Sequence, residues 1–190
     1  MADASAYIEN YLSETGRIAQ TVDRGQISRM IEVLKQTKKA GGRLFILGIG
    51  GSAGNASHAV NDFRKIAGIE SYTPVDNVSE LTAWANDESF ECIFVNWLKT
   101  SKLSSRDTVM VFSVGGGTPT TSKNLVTAME YAKQTGSSIV SVVSRDGGAA
   151  RRLSDVCVLV PVLSPENITP HAEGWQAVIW HLVVNAVKQA

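Results

Sequence analysis

Short, continuous runs of apolar residues recur along this sequence, and three of them end directly in a glycine loop. The runs are Arg43–Leu47 (RLFIL), Val109–Ser113 (VMVFS), Ser138–Val143 (SIVSVV) and Val156–Val160 (VCVLV), with a weaker one around Ile69–Thr73. A half-exposed strand would alternate apolar and polar side chains. Runs that are apolar throughout need cover on both faces, as in a parallel sheet packed between two layers of helices.

The stretches between the runs have helical spacing and supply that cover. Tyr7, Ile8, Tyr11, Leu12 and Ile18 mark a first helix and Ile27, Met30, Ile31 and Leu34 a second, which Gly41-Gly42 stops. Further helices are expected near 53–66, 78–100 with a break at Asn86-Asp87, 119–134, 147–153 and 170–188. The expectation is a three-layer, doubly wound α/β fold: a five-stranded parallel sheet flanked by helices and preceded by two N-terminal helices. No linker or repeat divides the chain, so residues 1–190 read as one domain.

Composition excludes several classes of function. A chain of 190 residues buries about 70% of its unfolded surface and needs neither metal nor disulfide to fold. With 18 basic and 18 acidic side chains it lacks the charge excess of a nucleic-acid binder. Cys92 and Cys157 have no metal or disulfide spacing and read as reduced core thiols. No basic leader precedes an apolar core at the N-terminus, and no apolar run reaches the roughly 18 residues of a membrane span, so a cytoplasmic, membrane-free protein is expected.

In open parallel sheets, ligands bind beyond the carboxyl ends of the strands, so the loops after the apolar runs carry the functional information. Gly48-Ile49-Gly50-Gly51-Ser52-Ala53 follows the first run. Its glycines permit a sharp turn that leaves amide groups at a helix N-terminus, a setting for phosphate, and Ser52 adds a hydroxyl. It also fits G-x-G-x-x-A, with Glu70 near the place of a ribose-binding acid, so a dinucleotide is an alternative occupant. The run at Val109–Ser113 ends in Ser113-Val114-Gly115-Gly116-Gly117-Thr118-Pro119. Thr118 reads as an N-cap and Pro119 as a first helical residue, opening the glycine amides at a second positive helix end. Two such loops on one sheet edge suit a sugar phosphate. Arg145-Asp146-Gly147-Gly148, after the next run, reads as a turn.

Candidate acid, base and metal groups lie on two helical stretches. His58 and Asp62 share a helix face one turn apart, which suits a chelating pair, a base with its partner, or a plain surface pair. Glu173 and His181 stand on the closing helix, separated by about 12 Å along its axis. Both reach one ion only if the helix start is irregular or different subunits contribute. Two imidazoles and two carboxylates form a zinc set. The same groups would serve aldose–ketose isomerisation, in which one takes a proton alpha to a carbonyl and another protonates the enediol oxygen.

The segments FILGIGGSAGNASHAVNDF, WANDESF, FSVGGGT, SRDGGAA and HAEGWQAVIWHLVV together resemble the SIS (sugar isomerase) family, specifically its phosphoheptose isomerase branch. The resemblance covers nearly the whole chain. It implies a homotetramer with interfacial active sites that converts sedoheptulose 7-phosphate to D-glycero-D-manno-heptose 7-phosphate for bacterial surface heptose. It implies that Gly50, Gly51, Ser52, Asp62, Asn86, Asp87, Ser113, Val114, Gly115, Thr118 and Glu173 contact substrate. His58, Asp62, Glu173 and His181 fall at zinc positions, with Asp62 as catalytic base and His181 as acid.

The sequence departs from the family pattern at several of these places. Ile49 replaces an asparagine, Val114 and Gly115 stand in a loop usually richer in hydroxyls, and Asp62 replaces a glutamate. Glu173 replaces a glutamine, and Pro170-His171 replaces Asp-Arg. An isomerase for another sugar phosphate and a non-catalytic scaffold resembling the DnaA-binding initiator-associating protein are the alternatives; His181, absent from the scaffold branch, favours catalysis.

Overall fold

The computed structural model of the protein describes residues 4–189; residues 1–3 and 190, which the leader and domain readings include, lie outside them. Two helices, α1 (Ala4–Thr21) and α2 (Arg24–Lys39), precede β1 (Leu44–Leu47). There follow α3 (Gly51–Asp62), β2 (Ser71–Tyr72), α4 (Val78–Asp87), α5 (Ile93–Thr100), β3 (Thr108–Phe112) and α6 (Lys123–Thr135). Next come β4 (Ser138–Val143), α7 (Gly148–Leu153), β5 (Val156–Leu159) and α8 (Ile168–Lys188). The five strands form one parallel sheet in the order β2-β1-β3-β4-β5.

The strand runs are apolar throughout because both faces are covered. Leu44, Ile46, Met110, Phe112, Val140 and Val142 enter one core with residues of α1, α2, α3 and α8. Their neighbours Phe45, Leu47, Val109, Val111, Ile139 and Val143 enter the other, against α5, α6 and α7. The period-two alternation thus separates two hydrophobic layers rather than core from solvent. The sheet order reverses between β1 and β3, whose carboxyl ends carry the two glycine loops.

Several boundaries differ from expectation. The 78–100 stretch is indeed two helices, parted after Asp87. Helix α6 begins at Lys123 instead of 119. Thr118 Oγ1 accepts from the amides of Thr120 and Thr121, closing a local turn, so the oxygen expected to cap a helix serves this turn instead. The α3 helix passes at Asp62 into a π-helical turn, Phe63–Ala67, which apolar spacing does not foretell. Cys92 and Cys157 are free and half-buried; Cys157 packs against the second core, where burial pushes its thiol up, whereas Cys92 lies outside both cores. Among the described residues no helix is long and apolar enough to cross a membrane.

Candidate functional site

The loops after β1, β3 and β4 converge on a cavity of about 330 Å³ at the switch point. From the first loop Ile49 and Ser52 line it; from the second, Ser113, Val114, Gly115, Gly117, Thr118, Thr121 and Ser122. Arg145 and Asp146 close it from the third loop, and Thr169 from the first turn of α8. Sequence reasoning named the first two loops but gave Arg145 and Asp146 only a turn. Their position immediately after an apolar run was the available signal; Thr169 had none.

Close backbone packing fixes the second and third loops together. Ala149 and Ala150 amides, at the start of α7, donate to the carbonyls of Gly117 and Gly116, both at 2.9 Å. A β-carbon on Gly116 would collide with the Gly147 carbonyl, and one on Gly148 with the Gly115 carbonyl. The Gly116 amide donates to Ser113 Oγ at 3.0 Å. The second glycine loop therefore offers carbonyls to the neighbouring helix, and its Ser113 and Thr118 oxygens already accept loop amides. Each hydroxyl keeps its proton for a ligand.

Helices α3 and α8 run side by side in the same direction from this cavity. Contacts progress in step: a β-carbon on Gly51 would meet the Glu173 carboxylate. Asn55 Nδ2 donates to Gln176 Oε1 at 2.9 Å, and His58 meets the Trp180 ring edge-on at 4.7 Å. The seam ends at Asp62 and His181. Asp62 Oδ2 lies 3.9 Å from His58 Nε2 and 3.7 Å from His181 Nε2, and the candidate ligand atoms of the three residues lie within 4.8 Å of one another. Asp62 is buried, whereas both imidazoles are exposed.

The trio's chemistry suits a cation. His181 Nδ1 stands 2.7 Å from the Ala177 carbonyl, which places the ring proton on Nδ1 and leaves the Nε2 lone pair facing Asp62. Ligand atoms around a tetrahedral zinc stand about 3.4 Å apart. A small inward shift of the two exposed rings would reach that spacing. A ring nitrogen of each histidine faces one carboxylate oxygen, an arrangement that can share a cation.

Not every predicted residue joins these two groups. Glu173 lies at the Gly51 end of the seam, and because α8 is helical from its start, the carboxylate is separate from the trio within one chain. Asn86 and Asp87 are exposed at the end of α4, Asn86 Nδ2 donating to Asp87 Oδ1, and they are absent from the cavity wall. Gly50 turns the chain into α3 with φ of 62°. Glu70 precedes β2 at the amino end of the sheet, where its carboxylate accepts from Tyr72 Oη. That places it opposite the glycine loop and removes the ribose-binding role of the dinucleotide reading.

His171 and Glu14 form a buried pair that sequence reasoning missed. His171 Nε2 is 2.9 Å from Glu14 Oε2, and its ring stacks on Tyr11 at 4.4 Å. Burial alone would raise the Glu14 carboxyl, but hydrogen bonds led by Asn167 outweigh it and hold the pKa at about 2.

Comparison with known proteins gives a consistent picture. The lincomycin biosynthesis protein LmbN of Streptomyces lincolnensis is 31% identical over 92% of this chain, which spans 66% of that relative's length. The phosphoheptose isomerase of Trichlorobacter lovleyi is 29% identical over 86% of this chain and 81% of its own. The phosphoheptose isomerase GmhA structure from Neisseria gonorrhoeae superposes with a TM-score of 0.83 over 98% of this chain and 97% of that one at 20% identity, a likeness of fold. The model of the SIS domain matches residues 6–144, spanning the sheet up to the end of β4 with the first two ligand loops, and on that match the chain belongs to the SIS domain family.

Proposed function

We propose that the protein is an aldose–ketose isomerase acting on a sugar phosphate, and that the substrate is sedoheptulose 7-phosphate, converted to D-glycero-D-manno-heptose 7-phosphate. The observation that carries this reading is the coexistence of two features: a hydroxyl- and glycine-lined cavity at the switch point, and a carboxylate facing two imidazoles along the same helical seam. Relatives named phosphoheptose isomerase support the substrate assignment.

In this reading His181 carries a second proton, on Nε2, when it acts as the acid: Asp62 takes the proton from C1 of the ketose while His181 Nε2–H gives its proton to O2, producing the enediol. Asp62 then returns its proton to C2, the O1 hydroxyl proton goes back to His181, and the C1 carbonyl forms. Ser52, Ser113 and Thr118 bind the phosphate and hold the sugar in register. Zinc is the proposed metal of the His58, Asp62 and His181 group, and when bound it would polarise the sugar's carbonyl oxygen.

His58 and Asp62 lie six and ten residues beyond Ser52 on α3, or about 9 and 15 Å along its axis. We infer a homotetramer in which the exposed histidines of one copy meet the cavity of another, with Glu173, Asn86 and Asp87 completing the site across the interface. A second reading, a different sugar phosphate, is favoured by Ile49, Val114 and Gly115, which line the cavity without a side-chain hydroxyl or amide.

Proton NMR of the purified protein with a panel of ketose phosphates tests both. Turnover of sedoheptulose 7-phosphate is expected, falling about 100-fold or more in Asp62→Ala and in His181→Ala. Turnover of another member alone selects the second reading, turnover of none rejects the isomerase, and wild-type rates in both variants reject Asp62 and His181 as its base and acid.

A further inference from the structure

We propose that Arg145 is a phosphate-binding residue that gives the glycine-loop cavity its preference for a doubly charged phosphate. The proposal rests on the reading of that cavity as the sugar-phosphate site. Two charged residues line the cavity, Arg145 and Asp146. Without the guanidinium the wall would carry a net negative charge and repel the anion it is meant to hold.

The arginine stands at the solvent-exposed rim of the cavity. Its backbone is left-handed, with φ of 56°, a conformation that glycine adopts freely and a side chain resists. Its Cδ would lie 3.8 Å from a β-carbon on Gly115, so the aliphatic stem crosses that glycine beside the loop. No carboxylate holds the guanidinium among the described residues. The adjacent Asp146 directs Oδ1 to the Gly148 amide at 3.1 Å. An unpaired, planar cation therefore borders a cavity whose remaining donors are neutral.

The other side-chain donors of the cavity are neutral hydroxyls, those of Ser52, Ser113, Thr118, Thr121, Ser122 and Thr169. Ser113 and Thr118 already accept loop amides, so each offers one proton, and Val114 and Gly115 offer no side-chain donor. A guanidinium supplies parallel N–H donors that match two phosphate oxygens, which a lysine ammonium does not. Arg145 thus adds a charged donor to a wall whose other side-chain donors are neutral hydroxyls.

Titration calorimetry of the full chain with inorganic phosphate tests this without turnover. Wild type should bind phosphate, more weakly as salt rises. Arg145→Ala should weaken binding about 10- to 100-fold, the range for losing a charged hydrogen-bond partner, and Arg145→Lys should fall between. Arg145→Gly removes the cation while easing the left-handed backbone, so it should melt no lower than wild type yet lose binding equally. Wild-type affinity in Arg145→Ala and Arg145→Gly overturns the proposal and leaves the cavity reading standing. No phosphate binding by wild type overturns both.

Discussion

Asp62 Oδ2 is the atom on which the proposed chemistry turns. Two imidazole nitrogens face it at 3.7 and 3.9 Å, and the Nδ1 bond to Ala177 keeps the His181 lone pair directed at it. Such an arrangement holds a cation well and holds nothing poorly. Metal analysis of the purified protein should find close to one zinc per chain, and His58→Ala should lower it, because that ring contributes one of three ligands and none of the fold's buried core. A metal-free protein whose activity survives a chelator would leave Asp62 and His181 as acid and base alone. The His58 and Asp62 pairing was legible from four-residue spacing. His181 was legible from its residue type as a candidate, but its specific role came only through family resemblance, because a histidine in an apolar helix usually bonds the interior. Arg145 was illegible as a ligand: Arg-Asp-Gly-Gly is turn chemistry, and only the convergence of loops shows what the turn presents.

Between elements, the junction of α1 with the start of α8 is held by buried polar groups rather than by apolar packing alone. Asn167 Nδ2 donates to Glu14 Oε2 at 2.8 Å, and its Oδ1 accepts from Tyr7 Oη. His171 adds a third tie to Glu14. Because α8 carries Thr169 to the cavity and His181 to the trio, this junction sets the position of both ends of the site. The folded pKa of Glu14 is depressed to about 2 from 4.5, so its stabilisation is complete above about pH 4.5 and is lost as pH falls toward 2. Glu14→Gln should lower stability at pH 7 by about 2 kcal/mol, the scale of a weakened buried hydrogen-bond group. In melting curves across pH the gap between variant and wild type should narrow below 4.5 and close near 2. A gap independent of pH would show that the carboxylate charge contributes nothing. Strands were the elements most legible from sequence, since continuous Val/Ile/Leu runs need two covered faces. The onset of α6 was not, because Thr118 has the residue type of a cap and serves a turn, and the π-turn after Asp62 leaves no mark on apolar spacing.

For the whole molecule, the exposed surface of the α8 helix mixes chemistry and adhesion. Val178 and Leu182 are 49% and 48% exposed, and they flank His181 on one face at helical spacing. Elsewhere Tyr7, Ile8 and Leu12 of α1 and Val78 of α4 are also exposed, and α4 buries none of its residues in the chain. Large apolar side chains exposed on three helices support the proposed association between copies, for which closed symmetry is the usual outcome. Light scattering should give about 82 kDa for a tetramer of 20.4 kDa chains. Leu182→Glu would place a charge in the apolar face without touching either core, so each chain should remain folded by circular dichroism while the assembly falls to smaller species. Its turnover should fall with its mass, because the cavity and the trio stand at opposite ends of α3 and, in the proposed assembly, one copy brings its histidines to another's phosphate. If Leu182→Glu is monomeric and fully active, one chain builds the whole site, and the substrate must then span the α3 seam by itself.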